Sequence, residues 1–202
     1  MPNPWRLSDK FDPAALPLAD AHYNRRKVGS PQFVPPGRSV VLLTPSRGAL
    51  WVTSWPFADF VRHAWPGAWV NSLFRREDGP IASELIAAAV AMTRAIWDPP
   101  PLGIVSFVDA SQTRRKRDPG RCYRKAGWSH VGFTKGGLWV FQQLPHQMPG
   151  ADSSGLTDGM LPFGIATSFQ EQGRAGRDSA WSGEGIATGP SINPHVPESL
   201  RR

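Results

Sequence analysis

The chain has 202 residues, 40% of them apolar, which suffices for one domain of about 150 residues with tails. One cysteine excludes an intramolecular disulfide, and with no apolar run of about 18 residues and no signal-peptide pattern we expect a soluble, cytoplasmic protein with no membrane partner. A net charge of +7 favours a polyanionic partner, nucleic acid before membrane, because no basic amphipathic helix is evident.

Residues 1–17 are Pro-rich and read as an N-terminal arm, with one turn of helix expected near residues 14–21. His22 and Tyr23 follow, beside Arg25, Arg26 and Lys27, in a loop whose Gly, Ser and Pro content extends it to Gly37. Val40-Val-Leu-Leu43 and Ala49-Leu-Trp-Val-Thr-Ser-Trp55 predict two strands joined at Ser46-Arg-Gly48. The aromatic-rich stretch 56–67 has no clear period, and its Trp65, like Trp55, is a candidate for exposure. Residues 68–74 predict a third strand.

Ile81, Leu85, Ile86, Ala89, Val90, Thr93, Ile96 and Trp97 recur at helical spacing and predict a helix of about four turns. Pro80 suits its start and Pro99-Pro100-Pro101 its end. A β-prone run, 103–108, then ends at Asp109. Asp118 as N-cap with Pro119 next, and Gly127 with Trp128 at the other end, predict a short capped helix feeding a last strand, 128–142. Lys135-Gly136-Gly137 divides that strand as a hairpin or a bulge. From 145 to 202 the composition turns to Gly, Ser, Pro, Asp and Gln without period, which predicts a disordered tail.

The order strand–strand–strand–helix–strand–helix–strand gives the α/β class with a mixed sheet. Arg114, Arg115, Lys116, Arg117, Arg121, Arg124 and Lys125 fall within twelve residues, offset only by Asp118, a density that suits a phosphate backbone. Nine tryptophans supply flat surfaces on which an unpaired base can stack. No His-Glu-x-x-His or paired Cys-x-x-Cys spacing offers a metal site, and Cys122 reads as a packing residue. Asp109, at a strand end, either orients and deprotonates an amine or starts the next turn. His22 is the other candidate base.

Cys122-Tyr-Arg-Lys-Ala-Gly-Trp128 resembles the aromatic-Tyr-x-Lys-x-Gly-aromatic helix of the Gcn5-related N-acetyltransferase (GNAT) fold. The resemblance implies a mixed, mainly antiparallel sheet flanked by helices. It also makes the loop from Arg75 and Arg76 to Ser83 the cradle of an acyl-donor phosphate, acetyl-CoA or another donor. That loop lacks the family's glycine spacing, and Glu77 and Asp78 would repel an anion. Tyr123 sits where the fold often keeps the tyrosine that protonates a departing thiolate; otherwise it packs half-buried against the sheet.

His22-Tyr-Asn-Arg25 with the loop Gly29-Ser-Pro-Gln-Phe-Val-Pro-Pro-Gly37, Phe74-Arg-Arg-Glu77 before Ala82-Ser-Glu-Leu-Ile86, and Arg121-Cys-Tyr-Arg-Lys-Ala-Gly-Trp128 with Thr134-Lys-Gly-Gly137 together resemble the Mom-like DNA modification proteins of bacteriophages and prophages. That likeness covers residues 18–144. It implies attachment of a carbamoylmethyl group, from a small-molecule donor, to the exocyclic amine of adenine in double-stranded DNA, protecting it from restriction. It implicates His22, Tyr23, Arg75, Ser83, Asp109 and Tyr123. Arg25, Arg26, Lys27 and the basic segment 114–125 are then the expected DNA contacts. An ordinary acyl-CoA N-acetyltransferase of a small amine or protein, and a non-catalytic DNA-binding protein, are the other readings of this sequence.

Overall fold

The computed structural model describes residues 3–56, 63–113 and 118–156, all within the compact unit Met1–Gly164. Among the described residues seven strands form one sheet in the order β1-β2-β3-β4-β5-β7-β6. They are β1 (Arg6–Ser8), β2 (Gly37–Leu43), β3 (Ala49–Pro56), β4 (Trp69–Arg76), β5 (Ile104–Val108), β6 (Ser129–Phe133) and β7 (Trp139–Gln143). Of these strands only β4 and β5 pair in parallel, and the helix between them, α2 (Ala82–Ile96), supplies the crossover that a parallel pair needs. This mixed, mainly antiparallel sheet is the α/β class expected from the order of elements.

The two-residue period of the strands builds a core on each face. Val40 and Leu42 of β2 pack with Trp51, Trp69 and the α2 residues Leu85, Ile86 and Ala89. Val41 and Leu43 point the other way, toward Leu18 and Ala19 of α1 (Leu16–Asp20) and toward Phe33 and Val34. Covered on both faces, β2 can be a continuous apolar run and not an alternating one. The short helix α3 (Arg121–Lys125) joins the α2 side through Tyr123 and Trp128.

Both expected boundaries of the folded domain move outward. Residues 3–17 of the expected arm are part of the fold: β1 pairs antiparallel with β2, and buried Trp5 donates through Nε1 to the Leu85 carbonyl at 2.8 Å. Residues 145–156 likewise belong to the fold. Met148 is buried in the α2 core, Leu156 packs against it, and the Asp152 N–H donates to the Ala91 carbonyl at 3.0 Å. Apolar residues this sparse showed no period, yet each finds a place on α2. Residues 157–202 of the expected tail, and 114–117 of the basic run, lie outside the described residues.

Local chemistry corrects one cap and bears out another. Gly120, at φ 72°, precedes the first turn of α3, not Asp118, whose carboxylate is drawn to Arg121 and Arg124 instead. At the far end Gly127 is left-handed, its N–H donating to Arg124 and that of Trp128 to Tyr123, both at 3.0 Å. That pair of bonds is the Schellman ending predicted by Gly127-Trp128. The last strand is a hairpin: the Gly137 N–H returns to the Thr134 carbonyl at 2.9 Å, and β6 pairs with β7. Trp55 and Trp65 are half-buried.

Candidate functional site

β4 and β5 pair only through Trp69, Val70 and Asn71 against Ile104, Val105 and Ser106. Beyond Asn71 and Ser106 both strands continue, to Arg76 and Val108, without pairing to each other. A cleft of about 330 Å³ occupies this divergence, at the carboxyl ends of two parallel strands, where open α/β sheets bind ligands. His22, Tyr23, Asn71, Ser106, Cys122 and Tyr123 are among the residues that line it.

Asn71 is the hub of the cleft, and sequence reasoning missed it. Opposite β3 the register steps from Val52↔Leu73 to Thr53↔Asn71, so Ser72 is the extra residue of a β-bulge. A bulge breaks the ladder, and here the Asn71 amide answers it: Nδ2 donates to the carbonyls of Val52 (3.2 Å) and Leu73 (3.0 Å). Its Oδ1 accepts from the hydroxyls of Tyr123 (2.7 Å) and Ser106 (3.2 Å). The available signal was a polar break in each of two apolar runs, Asn71-Ser72 in β4 and Ser106 in β5.

Tyr123 is buried, which pushes its phenol above the ordinary value, so it stays protonated and donates a hydrogen bond. It lies between Phe141, stacked at 5.7 Å, and Trp128, edge-on at 5.1 Å. Cys122 beside it is half-buried, and burial also raises its thiol.

His22 and Tyr23 stack at 4.5 Å on the loop that follows α1. The loop is fastened by Arg25, whose Nε reaches Asp20 at 2.7 Å while its other nitrogens donate to the carbonyls of Gln32 (2.9 Å) and Ser30. Asp20 also accepts from the Gly29 N–H at 2.9 Å. The Arg25 guanidinium is thus engaged inside the loop that presents His22 and Tyr23.

Burial, and then the charge of Arg75, lower the pKa of His22 to about 4, so its ring is neutral near pH 7. Its Nδ1 accepts from the Asn24 N–H at 3.2 Å, which leaves the ring proton on Nε2. The Tyr23 hydroxyl lies 3.5 Å from the Asp109 N–H, and burial raises its pKa. Asp109 follows β5 directly, and its Oδ1 accepts from both the N–H (2.9 Å) and the hydroxyl (2.6 Å) of Ser111. Those bonds hold its carboxyl below the usual range, and they make it the start of the turn 110–112.

The pre-helix loop is folded on itself. Arg75 pairs with Glu77 at 3.0 Å, and Arg76 donates to the carbonyls of Pro80 (2.6 Å) and Gly79 (2.8 Å). Both guanidiniums make these contacts within the exposed loop itself. Ser83 stands in the first turn of α2, which has Ile81 as its N-cap and no side-chain cap. With Arg121, Cys122 and Lys125 it lines a hollow of about 290 Å³ that Asp118 also faces. A phosphate-bearing donor would meet Ser83, the uncapped first turn and Lys125 there.

Of the remaining expected DNA contacts, Arg121 and Arg124 share Asp118, and Arg124 also lies over the Phe141 ring. Arg26, Lys27 and Lys125 are exposed, and among the described residues no carboxylate pairs with them. Arg114, Arg115, Lys116 and Arg117 lie outside the described residues. Among the described residues no group of three His, Cys, Asp or Glu side chains could hold a metal ion, and no helix is long and apolar enough to cross a membrane. No protein-family model, curated protein or solved structure matches the chain.

Proposed function

We propose that this protein is a GNAT-like transferase that modifies DNA, joining an acyl-derived, carbamoylmethyl-type group to the N6 amine of adenine as an anti-restriction function. What supports the reading is one observation: the neighbours His22 and Tyr23 meet Tyr123, a hundred residues further along the chain, around a single cleft at the divergent ends of β4 and β5. The positive charge of the chain suits a DNA partner.

In the reaction, a bond forms from N6 to a carbon of the donor while the bond from that carbon to its leaving group breaks. The adenine amine is a poor nucleophile because its lone pair is delocalised, so positioning carries much of the rate. Attack makes the nitrogen acidic, and a weakly basic carboxylate then suffices to take its proton. Asp109 accepts it through Oδ2, the oxygen that Ser111 leaves free. Tyr123 swings its hydroxyl hydrogen bond from Asn71, whose Oδ1 keeps its bond from Ser106, to the departing group, which takes its proton from water. His22 serves as a donor through Nε2, holding an acceptor atom of base or donor in place.

The test is mass spectrometry of nucleosides from plasmid DNA of cells that express the protein. A new adenosine species is expected, reduced at least tenfold by Tyr123→Phe and by Asp109→Asn. Unchanged nucleosides from cells holding folded protein would overturn the proposal. Acetyl transfer to a small amine without DNA would then identify an N-acetyltransferase, and salt-sensitive DNA binding alone a non-catalytic binder.

A further inference from the structure

Past Tyr23 the cleft continues into a wider groove of about 820 Å³, bounded by the His22 loop, β5 and the β6–β7 turn. Tyr23, Asn24 and Phe107 line both, so the two hollows are continuous. Three rings face the groove: Tyr23, which is 48% exposed, His63 and Phe107. His63 and Phe107 lie 5.1 Å apart, backed by Trp65 at 6.2 Å from Phe107. Asn24, Gln112, Asp109 and Arg26 also line the groove.

We infer that this groove receives an unstacked nucleobase, with Phe107 and His63 as the rings it stacks on and Asn24 and Gln112 as the amides that read its edge. The inference rests on the reading of the protein as a DNA-modifying enzyme and adds the surface that holds the acceptor. Half-buried rings on a solvent-open wall offer π faces to a flat heterocycle, and every base has such a face. A side-chain amide carries a donor and an acceptor side by side, the complement of the amine and ring nitrogen of adenine.

In the groove lining, Asp109 disfavours a phosphate beside it but welcomes an exocyclic amine, whereas Arg26 suits a backbone phosphate. The ligand that satisfies both is a nucleotide strand with its base turned inward. A duplex supplies one only after the base has left the stack. The groove is larger than one base needs, which leaves room for the attached sugar.

Binding of a single-stranded adenine-containing oligonucleotide, followed by fluorescence anisotropy, tests this against an abasic oligonucleotide of the same length and charge. Phe107→Ala and His63→Ala are each expected to weaken the adenine strand about tenfold while changing the abasic strand less than twofold. His63 lies outside the strands, so its variant decides the matter if Phe107→Ala disturbs β5. Wild-type affinity for the adenine strand in both variants would overturn the inference, as would equal losses on both strands. The same preparations separate this inference from the chemistry. Unmodified nucleosides with a base-dependent loss overturn the reaction and leave the groove standing; modified nucleosides with base-independent binding do the reverse.

Discussion

Asn71 and Tyr123 show how unequal the two ends of one hydrogen bond can be. Tyr123→Phe removes a buried hydroxyl and leaves Asn71 Oδ1 its bond from Ser106, so a cost of about 1 kcal/mol is expected. Asn71→Ala strands the Tyr123 hydroxyl and two carbonyls freed at the bulge, and about 3 kcal/mol is expected. Urea midpoints of the two variants check the order. His22 predicts a pH effect. The unfolded chain takes up its proton near 6.5 and the folded chain near 4, so the unfolded state binds more protons between those values. Stability is then full above pH 6.5 and falls as the pH drops toward 4. Thermal melts across that window should flatten in His22→Gln, in part only, because burial of His63 acts in the same direction. The tyrosine and the histidine were legible because their neighbours form a pattern. Asn71 was not, since its role comes from a bulge that no local sequence rule marks.

Elements were legible where the backbone speaks through one residue type. The apolar periods of α2 and β2, and the glycine that ends α3, were readable because each depends on neighbours in sequence. The start of α3 depends on a residue far along the chain. A Cβ on Gly120 would lie 2.1 Å from the Phe141 ring of β7, and φ there is 72°. Only glycine meets both demands, so the position outranks Asp118, which has two arginines to bind instead. Gly120→Ala is expected to cost about 3 kcal/mol or more, strain and overlap together, measured by denaturant unfolding. Gly127→Ala meets only the Gln143 amide, at 3.3 Å, with a smaller loss expected from its φ of 85°. α3 carries Tyr123 into the cleft, so the close fit of Gly120 on Phe141 sets the height of the phenol.

At the scale of the whole molecule, charge counts for less than where it is free to act. Each phosphate neutralised contributes roughly 0.9 to the slope of log affinity against log salt. For DNA binding, Arg26→Ala and Lys27→Ala should each lower that slope by about 1, read from titrations at several salt concentrations. Arg25→Ala should leave the slope unchanged and lower thermal stability, because its partners lie within its own loop. Sequence alone counts all three alike; the fold separates them. Composition also misjudged both ends of the domain, since Trp5 and Met148 are buried by partners on α2 and not by periodic neighbours. The sheet itself is unevenly stitched. Long antiparallel ladders run through β2, β3 and β4, and another joins β5, β7 and β6, whereas the ladder that joins the two panels has only the three residue pairs of β4 and β5. At the last stitch the Asn71 amide acts as the knot, holding Ser106 from one panel and, through α3, Tyr123. A ligand wedged between the panels would pull on that knot first, so the width of the cleft and the tightness of the seam are one and the same adjustment.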